Sequence, residues 1–321
     1  MSTTPDQAAW FAEAFGRLVD NIEKAIVGKR HQVRLVLTAM LSEGHVLLED
    51  VPGTGKTVLA KAIALTLDGV SSRIQFTPDL LPSDVTGVNT FNQKSGAWEF
   101  RPGPIFASVL LADEINRASP KTQSALLEVM EEGIVTIDGT TYQVPKPFIV
   151  IATQNPVEQA GTYKLPEAQL DRFLIKTSLG LPDRDTAIGL LMDSANRQRA
   201  AGVSAMIKPD ALVTMAGMAS EVTVEYSLME YVHDLADATR HQKDVALGVS
   251  MRGTLALARA VKTWAIASGR EYATPDDVRD LAIPVFAHRL IIDPEAEFNG
   301  TTAPQIIERV LHEVSPPAYR S

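Results

Sequence analysis

"HVLLEDVPGTGKT", residues 45–57, is the stretch that decides the fold. The apolar run 46–48 reads as a buried strand and stops at two acids, Glu49 and Asp50. Gly53, Gly55, Lys56 and Thr57 come next, and "KTVLAKAIALTL" (56–67) continues with a helical apolar period. A helix that begins where a strand ends aims unpaired backbone N–H groups and partial positive charge at the sheet edge. Glycines let the chain curl closely around an anion at that place. A lysine there reaches β- and γ-phosphates, and a neighbouring threonine hydroxyl suits Mg2+. The stretch therefore predicts a phosphate loop of Pro52, Gly53, Thr54, Gly55, Lys56, Thr57 and Val58. The pattern G-x-x-x-x-G-K-[ST] departs from form at its first position, where Asp50 stands. Aspartate tolerates left-handed backbone geometry, so the departure is expected to be harmless.

Four more apolar runs read as strands: 73–76, 108–112, 148–152 and 173–177. Near-continuous apolar strands alternating with helical patterns argue for a parallel sheet covered on both faces. One helix is expected over 120–132, with Ser119 as N-cap and Pro120 at its first position. Two stretches break the rhythm. Residues 131–147 alternate apolar and polar around Asp138-Gly139, a hairpin signal because that pair accepts the positive φ angles of a tight turn. Residues 87–104 read as a second hairpin turning at Lys94-Ser95-Gly96. Beyond "LGLPDRD" (179–185) the strands are expected to stop. Helical patterns follow over 185–199, 209–221, 227–242, 252–268, 274–286 and 304–314. The reading is thus an α/β domain over 1–182 and an all-helical domain over 183–321.

The run 108–112 delivers Asp113 and Glu114 at its C-terminal end, the edge at which open α/β sheets bind ligands. Asp113 suits Mg2+ binding and Glu114 suits polarising an attacking water as general base. The run 148–152 leads to Asn155, which either orients that water or touches a γ-phosphate. The alternative is an Asx turn before Pro156.

Composition sets the outer limits. The 321 residues are 45% hydrophobic and 21% charged, enough for about two domains. No window approaches ~18 consecutive apolar residues, so no membrane span is expected. The first twenty residues lack the pattern of a signal peptide. Trp10, Phe11, Phe15, Leu18, Val19, Ile22 and Ile26 instead fall at helical spacing. There is no cysteine, which excludes disulfides, thiolate metal sites and cysteine nucleophiles and fits a cytoplasmic setting. A net charge of −9 without a Lys/Arg run shows no nucleic-acid footprint. The six histidines form no H-x-x-x-H or H-E-x-x-H pair and read as surface or packing residues. Arg117 and Lys121 either face a neighbour's nucleotide or cap the loop after the acid pair.

In sum of motifs the chain resembles the AAA+ ATPases, and among them the MoxR family, from "IVGK" (26–29) to "FAHRL" (286–290). The resemblance rests on "LLEDVPGTGKT", "LLADEINRASPKTQSALLEVMEE", "FIVIATQNPVEQAGTYKLPEAQLDRF" and "LGVSMRGTLALARA" in that order. It implies a P-loop three-layer α/β core with a five-stranded parallel sheet and inserted hairpins, followed by a helical lid. It implies ATP/ADP and Mg2+ as ligands, with the segment around Val27 and Gly28 touching adenine. Asn155 corresponds to sensor 1 and Arg252 to sensor 2, acting in cis or in trans. Arg172 matches an arginine finger directed at a neighbouring subunit, against the plainer reading of a salt bridge to Asp171 or a helix-terminal charge. Related chains carry S-P-R where this one has Ser250-Met251-Arg252. The hairpins resemble the helix-two insert and pre-sensor-1 hairpins, whose Trp98 and Phe100 either contact substrate or pack. The family further implies a homo-oligomer, a hexameric ring, with chaperone-like maturation or cofactor insertion of a client protein. A partner bearing a von Willebrand factor A domain often accompanies it. The rival expectations are a DNA-dependent motor of the helicase class and a nucleotide-stabilised scaffold without turnover.

Overall fold

The strand–loop–helix unit of residues 45–57 forms the centre of the computed structural model, which describes residues 3–51, 53–155, 163, 165–192 and 202–317. The chain opens with α1 (Pro5–Glu23) and α2 (Arg30–Leu41), then enters the sheet as β1 (Val46–Glu49). There follow α3 (Lys56–Thr66), β2 (Ser71–Gln75), α4 (Pro82–Thr86), and the hairpin β3 (Gly87–Asn92) and β4 (Ala97–Pro102). Next come β5 (Val109–Asp113), α5 (Pro120–Glu132), a second hairpin of β6 (Ile134–Ile137) and β7 (Thr140–Gln143), and β8 (Ile149–Gln154). A short α6 (Glu167–Leu170) and β9 (Ile175–Thr177) close the sheet. Its order is β2-β5-β8-β1-β9, every pairing parallel. β1 therefore lies between two strands that come much later in the chain, a switch point of the kind where α/β sheets bind ligands.

Alternate residues of the central strands feed two cores, as the period of two demands. Val46, Leu48, Val109 and Ile151 face α1, α2 and α3, while Leu47, Leu110, Val150 and Ala152 face α5. Ser119 caps α5 through its hydroxyl, and Pro120 is its first residue. At the second hairpin both turn residues have positive φ, Asp138 at 50° and Gly139 at 81°. Along the N-terminal helix Phe11, Phe15, Leu18, Val19 and Ile22 are buried, whereas Trp10 is half exposed.

The C-terminal part consists of α7 (Arg184–Met192), α8 (Pro209–Ser220), α9 (Tyr226–Arg240), β10 (Val245–Leu247), α10 (Met251–Ile266), α11 (Pro275–Phe286), β11 (Ile291–Ile292), α12 (Pro294–Phe298) and α13 (Ala303–Glu313). The helical pattern over 185–199 is described as far as Met192; residues 193–199 lie outside the described residues. The expectation that strands stop after 182 is corrected by β10 and β11, an antiparallel pair of very short strands. The apolar core does not divide at residue 182. One cluster runs from α1 and α2 into Leu228, Leu235, Val261, Val278, Phe286 and Ile307 of the later helices. At that junction Arg34 lies over Trp264 at 4.7 Å, and the Ser42 and Thr263 hydroxyls bond at 2.7 Å.

Candidate nucleotide site

Three strand ends build the site. After β1 the chain turns through Gly53 (φ 87°) and Gly55 (φ 97°), and Gly55 is the N-cap of α3 with no side chain bonded to the cap. Only glycine adopts both angles without strain, and the result is an open helix N-terminus facing the sheet edge. Lys56 is buried, its Nζ donating to the carbonyls of Asp50 (3.1 Å) and Val51 (3.5 Å). Thr54 is buried and bonds the Val51 carbonyl; Thr57 is half-buried and Val58 is exposed. Pro52 lies outside the described residues. The segment before α2 borders this loop. A Cβ on Gly55 would come within 3.1 Å of Ile26, and one on Gly28 (φ 75°) within 3.2 Å of the Thr186 hydroxyl. Val27, between them, is exposed. Ile26 thus lies against the loop and Gly28 against the start of α7.

Beside the loop, β5 ends in Asp113 and the chain bends at Glu114, whose φ 56° and ψ 50° are left-handed. A glutamate in that conformation is strained, and such strain persists where the surroundings fix it. Thr153 of β8 supplies the fixing contacts. Its hydroxyl donates to Asp113 Oδ1 (2.6 Å) and accepts the Glu114 N–H (2.9 Å). Asp113 Oδ2 and Glu114 Oε2 are engaged from β2 and the following turn. Arg73 donates to Asp113 Oδ2 (2.7 Å), Gln75 to Glu114 Oε2 (2.7 Å), and Arg117 to the same oxygen (3.0 Å). Arg117 therefore braces Glu114 of the acid pair. Asn155 is buried at the end of β8, while Pro156 lies outside the described residues. Hard carboxylate and hydroxyl oxygens are the donor set that Mg2+ takes, so Asp113 and Thr57 fit that ion.

Two corrections concern backbone and pairing. Asp50 is not left-handed: the non-glycine residues of positive φ are Glu43, Asp68, Glu114 and Asp138 among those described. Its buried carboxylate instead accepts the N–H groups of Leu179 (2.6 Å) and Gly180 (2.9 Å). Arg172 does not pair with Asp171. Its guanidinium meets Glu131 Oε2 at 3.2 Å, and Arg252 meets Oε1 of the same carboxylate at 3.1 Å. Asp171 belongs to Arg289 (2.6 Å) and accepts from the Ser250 hydroxyl (2.9 Å). Burial pushes Arg289 down to about 10, opposed by the adjacent Asp171 carboxylate. Ser250 also accepts the Gly253 N–H as N-cap of α10, so that helix starts well without a proline at Met251.

The arginines sit at the other edge of the sheet. Glu131 is at the C-terminal end of α5, and the neighbouring Met130 carbonyl bonds the His45 ring just ahead of β1 (2.9 Å). A cavity of about 130 Å3 there is lined by Glu131, Arg172, Arg252, Arg259 and Arg289. A wider groove of about 470 Å3 shares Glu131 and Arg259 with it, and neither contains a phosphate-loop residue. The chemistry is nonetheless expected at the phosphate loop, because hollow size does not supply oxygen ligands and helix N-termini. Trp98 and Phe91 form an exposed edge-on pair on the first hairpin, while Phe100 stacks on Tyr142 of the second at 4.0 Å.

Sequence reading passed over Thr153, Arg73, Gln75 and Glu131. Strand register would have found three of them: Gln75 is the partner of Asp113, Arg73 is on the same strand, and Thr153 follows the Ala112–Ala152 pair.

Comparison with known proteins agrees with this geometry. Residues 45–175 match the family described as "ATPase family associated with various cellular activities (AAA)", and residues 237–310 match the AAA lid domain. The chain is 46% identical to the uncharacterized protein YeaC of Bacillus subtilis, covering 95% of this chain and 96% of that one. It is 38% identical to Chaperone MoxR1 of Mycobacterium tuberculosis, covering 94% of this chain and 82% of that one. A crystal structure of a candidate ATPase from Cytophaga hutchinsonii superposes with TM-score 0.91 at 37% identity, over 98% of both chains.

Proposed function

Because the chain belongs to the MoxR family of AAA+ ATPases, we propose that it hydrolyses ATP to ADP and phosphate and uses the cycle to remodel a client protein. The observation that carries this reading is the convergence of the phosphate loop, Asp113 and Glu114 at one sheet edge, while Arg172 and Arg252 share Glu131 at the other. The Lys56 amine would leave the loop carbonyls for the β- and γ-phosphate oxygens, with the N–H groups at the start of α3 around the same charge. Glu114 would take the proton of the attacking water, which Asn155 helps to orient. A Mg2+ held by Thr57 and Asp113 would neutralise phosphate charge. Val27 and Gly28, beside the loop, would lie against the adenine.

Arg252 and Arg172 lie a strand's length from their own phosphate loop, about 13 Å for the four residues of β1. That separation favours both acting on a neighbouring subunit's nucleotide, so turnover requires a homo-oligomer, in this reading a ring of six. In the same reading residues 1–182 are the nucleotide-binding core and 183–321 the lid. The setting is cytoplasmic, and the client is matured or loaded with a cofactor, with a von Willebrand factor A partner. No helix among the described residues is long and apolar enough to cross a membrane.

Calorimetry on two variants tests the site. Lys56→Ala is expected to lose ATP affinity, and Glu114→Gln to keep it while phosphate release falls by at least about 100-fold. Wild-type affinity in the first, or wild-type turnover in the second, contradicts the assignment.

A further inference from the structure

Asp50 occupies the place where the common phosphate-loop pattern has glycine, and its contacts join the loop to another part of the molecule. Its main-chain N–H donates to the Gln154 carbonyl (3.2 Å), next to Asn155. Its own carbonyl accepts Lys56 Nζ (3.1 Å). Its carboxylate, 5% exposed, takes the N–H groups of Leu179 and Gly180, the chain that leaves β9 toward α7. That chain is held on its far side as well: Lys29 donates to the Leu181 carbonyl (2.9 Å), and Asp183 accepts from the Thr186 N–H (2.8 Å) at the start of α7. A buried carboxylate needs such donors, and two N–H bonds to it are among the stronger contacts a side chain makes. A glycine would offer these N–H groups no side-chain acceptor.

Resting on the ATP reading above, we propose that Asp50 is a positioning residue that ties the phosphate loop to the hinge at 179–180. It makes the occupancy of the loop felt where the lid begins. When the Lys56 amine moves from the Asp50 carbonyl to a phosphate, residue 50 shifts as a unit, and its carboxylate carries Leu179 and Gly180 with it. Lid position and loop occupancy are then two readouts of one residue.

Hydrogen exchange of the Leu179 and Gly180 amides, with and without a non-hydrolysable ATP analogue, tests the link in the full chain. In the wild type the analogue changes exchange at these amides. In Asp50→Gly they exchange roughly 10-fold faster and no longer respond, because the acceptor is gone. The analogue still binds within about 3-fold of wild-type affinity, while kcat for ATP falls about 10-fold with KM nearly unchanged. Asp50→Asn, which keeps one acceptor, gives an intermediate result and carries the comparison if the glycine variant does not fold. A retained exchange response with wild-type kcat in either variant overturns the proposal. So does a loss of analogue affinity as large as that of Lys56→Ala, which would make Asp50 a loop residue only. Failure of the wild type to bind the analogue overturns the ATP reading itself, whereas binding without any response at 179–180 overturns the coupling alone.

Discussion

Glu114 shows how one side chain's role depends on its neighbours. Its left-handed backbone is held because Thr153 accepts its N–H while donating to Asp113. Thr153→Val keeps the shape and removes both bonds at a fully buried position. Urea unfolding is expected to show a loss of about 1–3 kcal/mol, with kcat falling more than KM rises; unchanged kcat would show that Thr153 does not position the acids. His45 gives a pH signature. Its Nδ1 accepts the Val150 N–H (3.0 Å) and Nε2 bonds the Met130 carbonyl, an arrangement that needs the neutral ring. Burial lowers its pKa from 6.5 to about 4. Between these values the unfolded chain holds the extra proton, so stability rises with pH there. This contribution is complete above pH 6.5 and is lost as pH falls to 4, about 3 kcal/mol in all. His288, also buried and lowered well below its ordinary value by desolvation, acts in the same direction. Urea midpoints at pH 7.5 and 5 should therefore differ in the wild type and differ less in His45→Gln; a flat wild-type profile would contradict the buried neutral ring.

At the scale of elements, the two hairpins act as one attachment. Phe100 stacks on Tyr142, and Asn89 donates to Asp138 (2.8 Å) across them. The root is tight: a Cβ on Gly103 would lie 2.4 Å from the Val85 carbonyl oxygen and 2.5 Å from the Gly87 nitrogen. Gly103→Ala should cost about 1–3 kcal/mol, read as a lowered Tm, because backbone atoms cannot step aside. Gly96→Ala, with open space around it, should cost less despite its positive φ; equal losses would refute the crowding argument. The hairpins, the five parallel strands and the capped α5 were legible because turn chemistry, apolar runs and caps are local signals. α2 was not, because its buried residues, Val33 and then Leu35 through Leu41, surround the helix and leave no amphipathic stripe. β10 and β11 were too short to show a period. Edge strand β2 (Ser71–Gln75) is mostly polar, so the apolar run read over 73–76 marked its place but not its start. In the site, Lys56, Asp113 and Glu114 were legible from motif and strand end. The reason for Asp50 and the partner of Arg172 were not, since both depend on residues far away in the chain, Leu179–Gly180 and Glu131.

For the whole molecule, the central feature is that the phosphate loop and the Arg172–Glu131–Arg252 cluster occupy opposite edges of one sheet. In the proposed reading a single chain holds two halves of different sites, and its activity belongs to the assembly. α1, α2 and the C-terminal helices, including α10 that carries Arg252, share one apolar core. Phosphate release from a mixture of Arg172→Ala and Lys56→Ala chains tests this most directly. Each variant alone is expected to be nearly inactive, since the first lacks the arginine for its neighbour and the second lacks the triphosphate grip. In mixed assemblies an intact loop meets an intact Arg172, so activity should return to a substantial fraction of wild type. Mixtures that co-assemble yet stay inactive at every ratio would contradict the account.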